Sequence, residues 1–83
     1  DVIPSVPYML FIVNKDKPGS IGAVGTILGR NEINISFMEV GRRQPKGSAT
    51  MLVGLDSPVD PAILEEIKGI GQIDSVRLVK SQP

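Results

Sequence analysis

The sequence predicts an α+β sandwich whose elements run β-α-β-β-α-β, and three observations carry that reading. An unbroken apolar run over residues 8–13 leads through a charged turn into apolar residues at helical spacing. Two strand-like stretches then lie on either side of Arg43-Gln44-Pro45-Lys46-Gly47, a polar turn that marks a hairpin. A second helical stripe opens on Asp60-Pro61 and gives way to a last strand-like segment.

Taken in order, residues 1–7 carry two prolines and read as an extended lead-in or linker to a domain at residues 8–80, with residues 81–83 as a tail. The continuous apolar run at 8–13 is that of a central strand buried on both faces. Asn14-Lys15-Asp16-Lys17-Pro18-Gly19 then forms a turn, because proline presets φ and glycine adopts a conformation other residues resist. From residue 20 to about 31, Ile21, Val24, Ile27 and Leu28 form the apolar face of a helix. Gly22, Gly25 and Gly29 line another stripe of it. Each glycine costs roughly 1 kcal/mol against alanine. Either a backbone or ligand approaches that stripe closely, or the glycines are simply tolerated.

Residues 33–42 alternate as a strand, with Ile33, Ile35 and Phe37 on one face and Asn34 and Ser36 on the other. Residues 48–56 form its hairpin partner, with Ala49, Met51, Val53 and Leu55 facing the core. Asp60 caps the second helix and Pro61 takes its first position. Ile63, Leu64 and Ile67 are its buried stripe, while Glu65 and Glu66 face solvent. Gly69 to Gly71 end it, and residues 73–80 form a strand that buries Val76 and Leu78. Right-handed crossovers close such a chain into a ferredoxin-like βαββαβ sandwich. The expected sheet is four-stranded and antiparallel, in order 4-1-3-2, with both helices on one face. The other face is then open to solvent or a partner.

Composition narrows the function. At 83 residues the chain is one small domain, near the size at which a core barely sustains itself and oligomerisation helps. Nine basic and nine acidic residues cancel, which argues against nucleic acid or an anionic membrane as partner. No apolar run approaches the ~20 residues of a spanning helix, no signal-peptide pattern is present, and a cytoplasmic location is expected. Without cysteine or histidine there is no disulfide, thiolate nucleophile or familiar metal ligand set, so no cofactor or metal is expected in this domain. The chain opens at Asp1 without an initiator methionine, as expected of a processed chain or a piece of a longer one. Among functions hosted by this topology, RNA recognition needs stacking aromatics, which Lys46-Gly47-Ser48-Ala49-Thr50-Met51 lacks. Metal chaperones of this topology need paired cysteines, and acylphosphatase-like enzymes an arginine in the first loop. This loop holds only lysines, and no catalysis is assigned to the domain.

The turn itself has chemistry. Unpartnered helix-start N–H groups lie beside one carboxylate and two ammonium groups, a corner able to hold a small zwitterion. An ordinary strand-to-helix connection with a solvated charge cluster accounts for the same residues.

These segments resemble an ACT domain, most closely the C-terminal regulatory domains of D-3-phosphoglycerate dehydrogenases. The likeness rests on residues 14–22, on Asn31-Glu32-Ile33-Asn34-Ile35-Ser36-Phe37-Met38, on Val40-Gly41-Arg42, and on Ser75-Val76-Arg77-Leu78-Val79. It implies an L-serine-pathway sensor that pairs with a second copy, with NAD bound by the catalytic domain of the parent enzyme. It further implies a shared small-amino-acid site. Asn14 and Asp16 hold the ligand, Gly19, Ser20 and Ile21 offer helix-start amides, and Asn34 of the neighbouring domain completes it. Serine-sensing members carry histidine at position 14 and asparagine at 16, where this chain has Asn14 and Asp16. Asp16 suits an ammonium and repels a carboxylate. Local roles compete with these: a bond to its own turn accounts equally for Asn34, and bracing of the helix start for Asp16. Arg42 and Arg43 read as solvated hairpin-end residues. The segment Phe37-Met38-Glu39-Val40 also suits the ACT domain of iron–sulfur-dependent L-serine dehydratase. A structural oligomerisation module without ligand is the remaining reading.

Overall fold

The computed structural model describes residues 6–43 and 47–80. Most of the expected lead-in, the tail and the centre of the hairpin turn lie outside them. The elements are β1 (Tyr8–Lys15), α1 (Ser20–Arg30), β2 (Ile35–Arg43), β3 (Ser48–Leu55), α2 (Pro61–Lys68) and β4 (Ile73–Lys80). The strands form one antiparallel sheet in the order β2-β3-β1-β4, the predicted 4-1-3-2 arrangement read from its other edge.

One face of the sheet meets both helices. Leu10 and Ile12 of β1 and Met51, Val53 and Leu55 of β3 are fully buried there with Val24 and Leu28 of α1 and Ile67 of α2. Each such side chain contributes about 1.5–3 kcal/mol on leaving water. Val76 and Leu78 of β4 pack against this cluster, as do Ile63 and Leu64 of α2. The Asp60 carboxylate accepts from the Ile63 N–H at 3.1 Å, so the predicted cap is in place. An Arg30–Glu66 ion pair ties α1 to α2 at the surface.

Within one copy a Cβ at Gly22, Gly25 or Gly29 would meet none of the described residues, which is compatible with either reading of the glycine stripe. Three expectations are corrected. The central strand is not buried on both faces: Met9, Phe11 and Val13 are only half-buried, because no helix among the described residues covers the second face. Ile21 is not a core residue: it is 48% exposed and sits beside the turn, while Val24, Ile27 and Leu28 are buried. The third concerns β2. It begins at Ile35, because residues 31–33 close α1 instead. The Glu32 N–H donates to Gly29 O at 3.0 Å and the Ile33 N–H to Leu28 O at 2.9 Å, with Glu32 at φ 59°. This is a Schellman closure, and it brings Ile33 onto Leu28 in the core. The pairing with β3 then slips between Ile35 and Phe37, so Met38 takes the core position and Phe37 moves to the open face. There its ring lies over Gly54, where an added Cβ would collide with it.

Candidate functional site

The β1–α1 turn is held from three sides. The Lys15 N–H donates to Gln72 O, the Asp16 N–H to Gly47 O and the Lys17 N–H to Lys15 O, each at 2.8 Å. Gly19 closes the turn at φ 97°, a left-handed conformation that favours glycine, and its carbonyl accepts the first helical bond from Ala23. Gly19 brings no side-chain cap, so the first-turn N–H groups of α1 stay available.

In front of this helix start lies a pocket of about 390 Å³, lined by Asp16, Lys17, Pro18, Gly19, Ile21, Val40 and Arg42. The last two come from the end of β2. Val40 pairs with Met51 and Arg42 with Ala49, both core-face residues, so their side chains point to the helix side of the sheet edge. Arg42 Nε lies 3.1 Å from Asp16 Oδ2 and bridges the pocket mouth. Ile21 and Val40, 48% and 46% exposed, form its apolar walls.

Three of the six sequence-derived site residues, Asp16, Gly19 and Ile21, therefore share this pocket. Asn14 is buried beneath the turn, its Nδ2 donating to Lys15 O at 2.8 Å and its Oδ1 without a partner among the described residues. The buried Ser20 hydroxyl points to Gln72 Oε1 at 2.5 Å. Asn34 precedes the far end of β2, where its Nδ2 donates to Asp56 Oδ2 at 2.7 Å. Eight residues of extended chain separate it from Arg42, about 26 Å at ~3.3 Å per residue. Arg42, expected to be solvated, is 81% exposed and in addition pairs with Asp16. The register that opposes Arg42 to Ala49 puts it on the helix side of the sheet, and that register comes from the paired strands.

The pocket thus offers one carboxylate, two cations, free helix amides and two small apolar walls. Those are the complements of an α-amino acid: a carboxylate for its ammonium, cations and a helix N-terminus for its carboxylate, aliphatic surface for a short side chain. No cluster of acidic residues suited to a metal occurs among the described residues, and no helix there is long and apolar enough to cross a membrane.

A four-stranded antiparallel sheet with two helices on one face, and a charged pocket where the first helix starts, defines a small α+β sandwich of ferredoxin-like type. The chain belongs to the ACT domain family, whose model matches residues 8–72. It is 40% identical over 78 residues to a D-3-phosphoglycerate dehydrogenase of Synechocystis sp., covering 94% of this chain and 14% of the relative. It is 45% identical over 76 residues to that of Archaeoglobus fulgidus, covering 88% and 14%. A probable L-serine dehydratase beta chain of Bacillus subtilis is 33% identical over 67 residues, covering 81% and 30%. Among solved structures, the ACT domain from GTP pyrophosphokinase of Chlorobium tepidum superposes with a TM-score of 0.69 at 13% identity, covering 92% of this chain and all of that one. The chain spans about 14% of the length of the dehydrogenases it matches.

Proposed function

We propose that this domain is the regulatory amino-acid sensor of a cytoplasmic, NAD-dependent D-3-phosphoglycerate dehydrogenase, controlling L-serine synthesis by binding L-serine or a similarly small amino acid. The observation that carries the reading is the Asp16–Arg42 pair at the mouth of the pocket, 3.1 Å apart beneath a helix N-terminus. A zwitterion entering there exchanges one surface ion pair for two, its ammonium on Asp16 and its carboxylate on Arg42 and the amides of Ile21 and Gly22. Arg42 also offsets the repulsion that Asp16 would exert on that carboxylate.

The site is shared between two copies. β2 is an edge strand with free backbone groups along one side. Antiparallel pairing of two β2 edges about a two-fold axis lays the start of one strand against the end of the other. Asn34 of one copy then reaches the Asp16 turn of its neighbour, which no contact within one copy achieves. The exposed Ile21 and Val40 flank the same edge and would be covered. Because the complete site exists only in the pair, ligand favours the pair by linkage, and this couples binding to the arrangement of the attached catalytic domains.

A ligand-free oligomerisation module is the second reading, favoured by the fact that Asp16 and Asn34 already have partners in Arg42 and Asp56. Calorimetric titration with L-serine, glycine and L-alanine decides between them, run beside sedimentation equilibrium. Binding that tightens self-association is expected. No heat at millimolar amino acid, with self-association intact, overturns the sensor and leaves the module. The parent enzyme is tested on the full polypeptide. A G-x-G-x-x-G fingerprint upstream is expected, and cluster-ligating cysteines would assign the domain to the dehydratase that the 33% relative represents.

A further inference from the structure

The face of the sheet turned away from the helices carries an apolar centre, and its residues are ordered across the strands. Arg77 of β4 is opposite Phe11 of β1, Phe11 is opposite Leu52 of β3, and Leu52 is opposite Glu39 of β2. Directly opposed residues in antiparallel strands point the same way. Leu52 lies between the fully buried Met51 and Val53, so this row points away from the core. The Arg77 guanidinium confirms its direction, sitting 5.9 Å from the Phe11 ring centroid. Glu39 and Arg77 are exposed, and neither forms an ion pair among the described residues. Next to this row runs a second, Phe37, Gly54, Met9 and Val79, in which only Gly54 lacks an apolar side chain.

We propose that this face binds a second copy of the chain, sheet on sheet, about a two-fold axis that runs along the strands between Phe11 and Leu52. That operation reverses the order across the sheet and keeps the order along it. It therefore sets Glu39 of each copy against Arg77 of the other and stacks Phe11 on Leu52 twice. In the second row it sets Phe37, whose ring covers Gly54, against Val79 and Met9. A row with an acid at one end, a base at the other and two apolar residues between is self-complementary under this axis alone. An axis along the row would oppose Glu39 to Glu39. Stacked sheets lie ~10 Å apart, within reach of these side chains. Four strands at ~4.8 Å spacing and eight residues at ~3.3 Å give a face of roughly 500 Å² per copy, about the 1,000 Å² in total that a specific interface needs. This contact uses no residue of the pocket and no β2 backbone group, so it stands independently of the amino-acid site and joins edge-paired dimers into tetramers.

The test is charge exchange, read by sedimentation equilibrium on the chain as it stands, with circular dichroism to establish that each variant is folded. Glu39→Arg and Arg77→Glu should each weaken the highest association step at least tenfold, the scale on which like charges are excluded from interfaces. The double variant Glu39→Arg/Arg77→Glu should restore it to within about threefold of wild type. That rescue requires a contact between copies, because three strand spacings, about 14 Å, separate the two residues within one copy. Hydrogen exchange that leaves the β4 edge unprotected distinguishes stacking from edge pairing of β2 with β4. A double variant as weak as the singles overturns the proposal. So does a wild-type chain that stops at a dimer protected from hydrogen exchange only along β2, which would assign the open face to another part of the longer polypeptide.

Discussion

Replacing Asp16 by alanine separates a binding role from a structural one, because the structure sets different sizes for the two effects. In the free domain Asp16 spends its charge on Arg42, whose side chain is 81% exposed against 33% for Asp16. A pair so open to water contributes about 0–1 kcal/mol to folding. For a domain of this size 1 kcal/mol corresponds to roughly 4–8 °C in Tm. With half a kcal/mol at stake, the variant should melt within about 4 °C of wild type. Binding is affected more. The ligand ammonium loses a charge-assisted bond, about 1–3 kcal/mol net of the Arg42 pair it displaces, which is roughly 5- to 150-fold in Kd. Isothermal titration with L-serine and a thermal melt on the same samples give both numbers. Unchanged affinity with a Tm lower by 5 °C or more would refute the reasoning and leave Asp16 as a brace for the turn. Arg42→Ala adds a test of sign. Were Arg42 only a competitor for Asp16, its removal would tighten binding. Because it also receives the ligand carboxylate, binding should weaken by about 1–3 kcal/mol.

Three further outcomes concern the scaffold and are read by urea unfolding. Glu32→Gly should stabilise the domain by about 0.5–1 kcal/mol, since Glu32 holds φ 59° at the end of α1, where glycine adopts that conformation freely. Gly54→Ala should destabilise it by about 1–3 kcal/mol, because the new methyl meets the Phe37 ring, and adding Phe37→Ala should recover part of the loss. Asp60→Ala should cost about 1 kcal/mol by removing the side-chain cap at the start of α2, where the Ile63 N–H keeps only its bond to Asp60 O.

What the sequence could say about the fold follows from how local its signals are. Helix α2 was legible down to its cap, because Asp60, Pro61 and the Ile63, Leu64, Ile67 stripe act within two turns of each other. The same holds for β3, where alternation from Ala49 to Leu55 named the core face without error. Ile33 misled because apolar alternation looks identical whether a residue belongs to a strand or closes the preceding helix. Only the Schellman bonds to Gly29 and Leu28 distinguish the two. Phe37 misled for a related reason. A bulge of one residue exchanges the faces of everything beyond it, and its cause is the pairing with β3, not any residue in β2 itself.

The candidate site divides the same way. Composition and the Asp16-Lys17-Pro18-Gly19 turn were enough to place a charged corner at a helix start, since proline and glycine set that turn by their own covalent geometry. The partner of Asp16 was not, because Arg42 arrives from a strand 26 residues away whose facing depends on register. Nor could the sequence show that Asn14 and Ser20 turn inward beneath the helix while Asp16 and Ile21 turn outward. By itself the sequence determined the order of the elements, the cap of α2 and the topology of the sheet, consequences of periodicity, backbone chemistry and the handedness of crossovers. Tertiary structure alone decided which side chains meet across strands: the Asp16–Arg42 pair, the displacement of Phe37 onto Gly54, and the row from Glu39 to Arg77. Those contacts are fixed by register between distant segments, and register is a property of the packed sheet rather than of any stretch of chain within it.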